Sequence, residues 1–306
     1  MKCRICGKKP VIYMPQHRLA LCKEDFLSWF ERYTDRTIKE FSMFTHEDRV
    51  LVAISGGKDS LALLYVLRKL GYRADGFYIH LGIGEYSERS REKVESFVKK
   101  TGAELMVHDL TEDLGGIPEL KKLTSREACS VCGLVKRYNF NRVAKERGYN
   151  VLATGHNLDD EASALFSNVL NWNMKYLGRK FPVLEEEEGF VRKVKPFCKF
   201  TEKETALYSL LNGIDFLEEE CPYSEDANSV FYKEVLNQIE EKFPGTKLRF
   251  YLEYLRKVYP LFRERENREL QPCKVCGEPS PSEVCPVCRL RERVLNLKST
   301  GRSSTG

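Results

Sequence analysis

Ser55-Gly56-Gly57-Lys58-Asp59-Ser60 stands between two apolar runs, Val50-Leu51-Val52-Ala53-Ile54 before it and Leu61-Ala62-Leu63-Leu64 after it. Strand, glycine-rich turn and helix start, in that order, make an anion pocket. Backbone N–H groups converge on one point, and the helix dipole adds partial positive charge there. Two glycines remove the Cβ atoms that would hold phosphate oxygens off. The turn is not a Walker A loop, because Val52 stands where that motif's first glycine belongs and Asp59 where its magnesium-binding hydroxyl belongs. An acid beside Lys58 suits metal-assisted binding of a triphosphate or pyrophosphate rather than transfer of a γ-phosphate alone. The plain alternative is a tight turn with Ser60 as helix N-cap.

Eleven cysteines fall largely into three groups. No apolar export signal follows Met1-Lys2-Cys3-Arg4, so a reducing cytoplasm is the expected location, where disulfides would not persist. Metal is the better reading. Cys3-x2-Cys6 followed by His17-x4-Cys22 has the spacing of a closed tetrahedral zinc site, with His17 as the least secure ligand. Cys273-x2-Cys276 and Cys285-x2-Cys288 form a zinc ribbon whose ion must supply most of its folding free energy. The third group, Cys129-x2-Cys132 with the distant Cys221, offers three thiols, since Cys198 sits among apolar neighbours and reads as packing. Three ligands leave one metal position open, as catalytic centres do. Cys221-Pro222 also suits an iron–sulfur ligand. Metal-free persulfide exchange, or two inert thiols beside a chance third, would use the same residues. Lys136 lies one helical turn after Cys132, where a cation would lower the thiol pKa, hold a phosphate, or simply face solvent.

These groups need elements to position them. Strands are expected over 49–54, 74–80, 104–108, 150–154 and 191–195, and helices over 60–70, 87–101, 133–147 and 158–172. Gly71, Gly102 and Gly148 fall just past three of the helix ends. Such alternation predicts an α/β fold, a parallel sheet covered on both faces, with ligands beyond the carboxyl ends of the strands. Ala53 with Ser55–Ser60, Ile79-His80, and Gly155-His156-Asn157-Leu158-Asp159-Asp160 all fall at such ends. The backbones of Ile79 and His80 are expected to meet adenine. Gly155, His156 and Asp160 are expected at the nucleotide, where paired carboxylates can hold magnesium. N-capping by Asp159 and a core role for His80 are the competing readings. Thr201-x-x-Glu204 is a capping box opening a helix to Gly213, and residues 246–262 carry apolar side chains at helical spacing.

The 306 residues suffice for one sizeable α/β core with small appended modules. The expected division is a zinc finger over 1–24, an ATP-binding domain over 25–268, a zinc ribbon over 269–293 and a flexible tail over 294–306. No run approaches the roughly 20 apolar residues of a membrane span. Net charge is only +5, from 50 basic and 45 acidic residues, but residues 1–23 hold six basic residues and no acid, which suits a polyanion such as RNA.

Ser-Gly-Gly-Lys-Asp-Ser resembles the PP-loop of ATP pyrophosphatases, which split ATP between its α and β phosphates. Taken with Cys129, Cys132 and Cys221, the Gly-His-Asn-x-Asp-Asp stretch and both terminal cysteine sets, nearly the whole chain resembles the PP-loop tRNA 2-thiouridine synthetases of the TtuA type. These are related to the cytosolic wobble-uridine thiolases and to TtcA-type cytidine enzymes, in which paired terminal zinc modules are not expected. The resemblance implies a Rossmann-like PP-loop fold, ATP with Mg2+, and a [4Fe–4S] cluster on Cys129, Cys132 and Cys221 with one iron free. It also implies two Zn2+ ions, tRNA as substrate, a homodimer, and a ubiquitin-like sulfur carrier with a C-terminal thiocarboxylate. The implied chemistry is adenylation of the uridine C2 oxygen, then sulfur transfer. Lys58 and the loop would meet the phosphates, Asp59 and Asp160 magnesium, and Lys136 the α-phosphate. The modified base is expected at T-loop position 54, with wobble position 34 or a cytidine as alternatives. A PP-loop ligase such as lysidine synthetase would leave the mid-chain cysteines idle. A non-catalytic zinc-ribbon RNA binder would have a vestigial nucleotide site.

Overall fold

The computed structural model describes residues 1–187, 189–224, 228–262 and 270–300. The chain opens with a hairpin, β1 (Ile12–Met14) and β2 (Leu19–Leu21), from which Cys22 leads into α1 (Lys23–Glu40). Phe26, Phe30, Thr34, Thr37 and Ile38 recur along one face of α1 and are buried. The Phe30 ring centroid lies 4.2 Å from that of Phe200 and 4.1 Å from that of Tyr208. Cys3, Met14 and Leu21 belong to the same buried cluster, so the N-terminal segment shares the main core.

The sheet is built from β3 (Arg49–Ile54), β4 (Arg73–His80), β5 (Leu105–Asp109), β6 (Val151–Thr154), β7 (Val183–Leu184) and β8 (Arg192–Val194), in the order β5-β4-β3-β6-β8-β7. Every neighbouring pair is parallel except β7–β8 at one edge. The α/β class stands, and each of the five expected strands falls within a residue of its expected limits. The short β7 was not expected. Val50, Val52 and Ile54 of β3 pack into one cluster and Leu51 into the other, as a sheet covered on both faces requires. The chain winds outward from β3 through β4 to β5, then restarts at β6 on the other side of β3. That reversal opens a crevice beyond the carboxyl ends of β3 and β6, where α/β sheets bind ligands.

The helices that cover the sheet are α2 (Lys58–Lys69), α3 (Gly84–Thr101), α4 (Leu110–Leu114), α5 (Gly116–Lys122), α6 (Ala128–Glu146) and α7 (Leu158–Leu170). They continue with α8 (Met174–Leu177), α9 (Glu202–Leu211), α10 (Asn228–Lys242) and α11 (Thr246–Glu253). Both hydrogen bonds of the Thr201/Glu204 capping box are present at α9. The single helix expected over 246–262 does not form. After Glu253 the backbone widens into a π turn, Tyr254–Val258, then tightens into a 3-10 turn, Tyr259–Leu261, where Pro260 lacks an N–H to continue the ladder.

The C-terminal segment pairs β9 (Gln271–Pro272) with β10 (Pro279–Ser280) and ends in α12 (Pro286–Thr300). The flexible tail expected from residue 294 is corrected as far as 300. Those residues continue α12, and Val294 is buried against the second core cluster. Residues 301–306 and the expected boundary at 268–269 reach outside the described residues. Among the described residues, no helix is long and apolar enough to cross a membrane.

Candidate active site

Helix α2 starts at Lys58 with Gly57 as N-cap, so Ser60 does not cap it. Instead the Ser60 hydroxyl closes the loop, donating to the Gly57 carbonyl at 3.0 Å and accepting from Ser55 N–H at 3.1 Å. Gly56 has φ +79°, and a Cβ there would sit 2.7 Å from Ser90 Oγ. Ser90, on α3, donates to the Ser55 carbonyl at 2.8 Å. Across the crevice, a Cβ on Gly155 would come within 2.9 Å of the Asp59 carbonyl carbon and the Ser60 nitrogen. Glycine at 155 is what lets the loop after β6 lie against the loop after β3.

The two loops flank a cavity of about 290 Å³. Ala53, Ser55, Gly57, Asp59, Ser60, Ile79, Lys136, Gly155, His156 and Asp160, singled out from the sequence, line it. Gly56, Lys58 and His80 do not. The His80 ring turns to Glu88, at 3.1 Å, and Asp109, at 3.4 Å, so its side chain belongs to the support of β4. Sequence reasoning missed Ile54, Tyr78, Leu81, Tyr86, Ser87, Ser90, Phe140 and Thr154 in the lining. The alternation of Tyr78 with Ile79 and the serines of α3 carried no signal distinguishing them from core or surface.

Lys58 Nζ lies 2.7 Å from Glu202 and 3.2 Å from Asp59. Asp59 also accepts from the Thr205 hydroxyl and, at 3.4 Å, from Asn157. Burial pushes the Asp59 carboxyl above the usual range. Lys58 and Thr205 pull it back, and the Asp160 carboxylate adds to the rise. Asp160 in turn meets Lys233 of α10 at 2.6 Å. Glu202 and Lys233 were not anticipated, because α9 and α10 reach the site only through tertiary packing. Burial brings His156 down to about 4, so it is a neutral imidazole at pH 7, with Nδ1 2.8 Å from Thr154 Oγ1.

Helix α6 presents Lys136 to the cavity and carries Cys129 and Cys132 in the turns before it. The Cys129 thiol donates to the Tyr223 carbonyl at 3.1 Å, two residues from Cys221. Cys132 and Cys221 both act electrostatically on Tyr86, a cavity-lining residue. All three thiols are at least partly exposed, whereas Cys198 is buried.

Residues 30–228 match the PP-loop domain family, and residues 2–27 match the N-terminal LIM domain of the 2-thiouridine synthetase TtuA. A tRNA-5-methyluridine(54) 2-sulfurtransferase of Thermus thermophilus is 50% identical over 96% of this chain and 92% of its own. One of Pyrococcus horikoshii is 44% identical over 97% and 96%. The chain belongs to the TtuA family of tRNA 2-sulfurtransferases. The structure of the U34-tRNA thiolase NcsA from Methanococcus maripaludis with its [4Fe–4S] cluster is similar at TM-score 0.81 and 28% identity, over 96% of both chains.

The terminal cysteine sets of this TtuA-family chain form compact donor clusters. Cys273, Cys276, Cys285 and Cys288 bring their sulfurs within 4.8 Å of one another. At the other end the cluster is Cys3, Cys6, Cys22 and Asp25, and His17 is corrected out of it. The Asp25 carboxylate lies 3.1 Å from Cys3 Sγ and 3.2 Å from Cys22 Sγ. His17 instead packs against Trp29 and Tyr33, at centroid distances of 5.1 and 5.3 Å, and burial brings it down to about 4. Asp25 lies three residues after Cys22, on the first turn of α1, so its carboxylate reaches back to the thiols while His17 faces the core. Among the described residues, Cys129, Cys132 and Cys221 are in neither of the two sets whose donor atoms lie within 4.8 Å of one another.

Proposed function

We infer that this chain uses ATP to thiolate C2 of a uridine in tRNA, and that the base is the T-loop uridine at position 54, as in the names of its relatives at 50% and 44% identity. Helix α6 carries the reading. Lys136 faces the nucleotide cavity, and Cys132 and Cys129 precede it by one and two turns. Activation of oxygen and supply of sulfur thus share a cleft.

The apolar wall of Ile54, Ile79 and Leu81 suits adenine, and we assign the N–H groups of Ser55–Ser60, with Lys58 beside them, to the β and γ phosphates. Asp59 and Asp160 are the carboxylates we assign to Mg2+, which neutralises those oxygens and makes pyrophosphate a better leaving group. The uridine must leave its stack, at a cost of about a few kcal/mol. Its O2 attacks the α-phosphorus, pyrophosphate departs, and Lys136 offsets charge on the α-phosphate. Cys129, Cys132 and Cys221 are the residues we assign to a [4Fe–4S] cluster, which when bound supplies sulfur beside the adenylated carbon. Sulfur entering at C2 expels AMP and leaves 2-thiouridine. We assign one zinc ion to Cys273, Cys276, Cys285 and Cys288, and one to Cys3, Cys6, Cys22 and Asp25. A homodimer and a ubiquitin-like carrier ending in a thiocarboxylate complete the assignment.

Anaerobically purified protein, given labelled ATP and unmodified tRNA, should release AMP and pyrophosphate, and nucleoside mass spectrometry should find 2-thiouridine at position 54. Cys129→Ala should lose both the visible absorption of the cluster and the thiolated product while still binding ATP. Thiolation at position 34 would overturn the positional assignment. A colourless, fully active protein would move the chemistry to persulfides, and binding of tRNA without AMP release would leave an RNA-binding protein.

A further inference from the structure

A second cavity, of about 380 Å³, adjoins the nucleotide cavity and shares a single lining residue with it, Tyr86. One of its walls is the start of α3, which carries Tyr86. A second is Pro118 of α5, and the third is the strap 219–223 that follows α9. The strap is tied on both sides. Leu217 N–H donates to the Gly56 carbonyl of the phosphate loop at 2.9 Å, and the Tyr223 carbonyl accepts from the Cys129 thiol at 3.1 Å. The turn that carries Tyr86 is held as firmly. Ser87 Oγ accepts from Ile83 N–H at 2.9 Å, and the Ser87 carbonyl accepts from the Tyr78 hydroxyl at 3.0 Å. Tyr86 is thus a fixed partition between the chamber where oxygen is activated and a second chamber outside it. Charge in the second chamber disfavours an anion. Glu85, Glu219 and Glu220 line it against one cation, Arg89, which Glu219 already engages. A phosphate or a peptide carboxylate would meet net negative charge there. Pro118 and the rings of Tyr86 and Tyr223 supply apolar and aromatic surface. A neutral, flat group fits both features, with its face on a ring and donor N–H groups on its edge toward Glu85 or Glu220.

We propose that this second cavity receives the nucleobase next to the target uridine, with the Tyr86 ring between the two bases. This rests on the tRNA reading above and deepens it. A ring placed between successive bases spreads them to about 7 Å, twice the repeat of a stacked strand, and one extended nucleotide spans that gap. Stacking on Tyr86 offsets part of what the uridine loses on leaving its own stack. Stacking tolerates any base, so the ring sets the register while the carboxylates set a preference. Adenine, guanine and cytosine bring an exocyclic amine to Glu85 or Glu220, whereas uracil brings two carbonyl oxygens.

The test alters RNA and protein separately and together, reading tRNA dissociation constants of the full chain beside its ATP affinity. An abasic nucleotide at one of the two positions flanking the target uridine should weaken binding to the parent by about tenfold. The same lesion should cost less than about twofold in Tyr86→Leu, and in Pro118→Trp, which fills the second cavity alone. Tyr86→Phe should behave as the parent, and Pro118→Trp should keep ATP affinity within about twofold. Uracil at the flanking position should bind the parent more weakly than an amine-bearing base, and Glu85→Ala with Glu220→Ala should level that difference. A merely structural defect would weaken every RNA alike and leave the abasic penalty in place. A penalty at neither position, or one that persists in both variants, would therefore overturn the proposal. So would a Pro118→Trp protein that binds tRNA normally but loses a synthetic peptide ending in a thiocarboxylate, since the cavity would then belong to the sulfur donor. Parent protein that binds no tRNA would sink the functional reading itself, a distinguishable failure.

Discussion

Lys233 Nζ sits 2.6 Å from Asp160 Oδ1 and 3.6 Å from Glu202, so an ammonium group already engages one of the two carboxylates we assign to Mg2+. Burial works against its charge, yet Asp160 and Glu202 together hold Lys233 above the ordinary lysine range. Lysine and metal therefore compete. Lys233→Met should lower the Mg2+ concentration giving half-maximal AMP release by roughly fivefold, equivalent to ~1 kcal/mol of freed carboxylate. A raised KM for ATP at unchanged Mg2+ demand would instead make Lys233 a phosphate ligand.

Gly155→Ala tests the contact between the two loops. Its Cβ would press on the backbone at Asp59 and Ser60, which cannot swing aside as a side chain end can. AMP formation should fall by at least tenfold, with a stability loss of about 1–3 kcal/mol by urea denaturation. Near-normal turnover would mean that the loops need not touch.

Asp25 and His17 separate cleanly by metal analysis. Asp25→Ala should leave close to one zinc per chain after mild chelation and weaken the N-terminal fold, since three thiolates remain without a fourth donor. His17→Ala should keep both ions and lose only packing against Trp29 and Tyr33. The reverse pattern would restore the spacing argument.

Short-range pattern made the sheet and the nucleotide loops readable in advance. The strands β3 and β6 were apolar runs closed by Ser55 and Gly155, and Ser55–Ser60 has little other use at a strand-to-helix junction. Long-range features were not readable. Glu202 and Lys233 arrive at Asp59 and Asp160 from helices far along the chain. Asp25 was hidden because ligand spacing drew attention to His17, although an acid three residues after Cys22 was there to be weighed. Helix α1 was overlooked despite its period, and the break after Glu253 was marked only by Pro260.

The C-terminal cysteine module is fastened to the sulfur-bearing helix by specific contacts. Glu278 accepts from Asn141 at 2.6 Å and from Lys145 at 2.9 Å, both on α6, while Arg291 grips Asp113 through two nitrogens at 2.9 and 2.6 Å. Loss of the ion we assign to that module would thereby be felt at Cys129 and Cys132 on α6. A chain stripped of that ion should go on consuming nucleotide but aim its thiols askew, hydrolysing ATP fruitlessly instead of finishing the modified base.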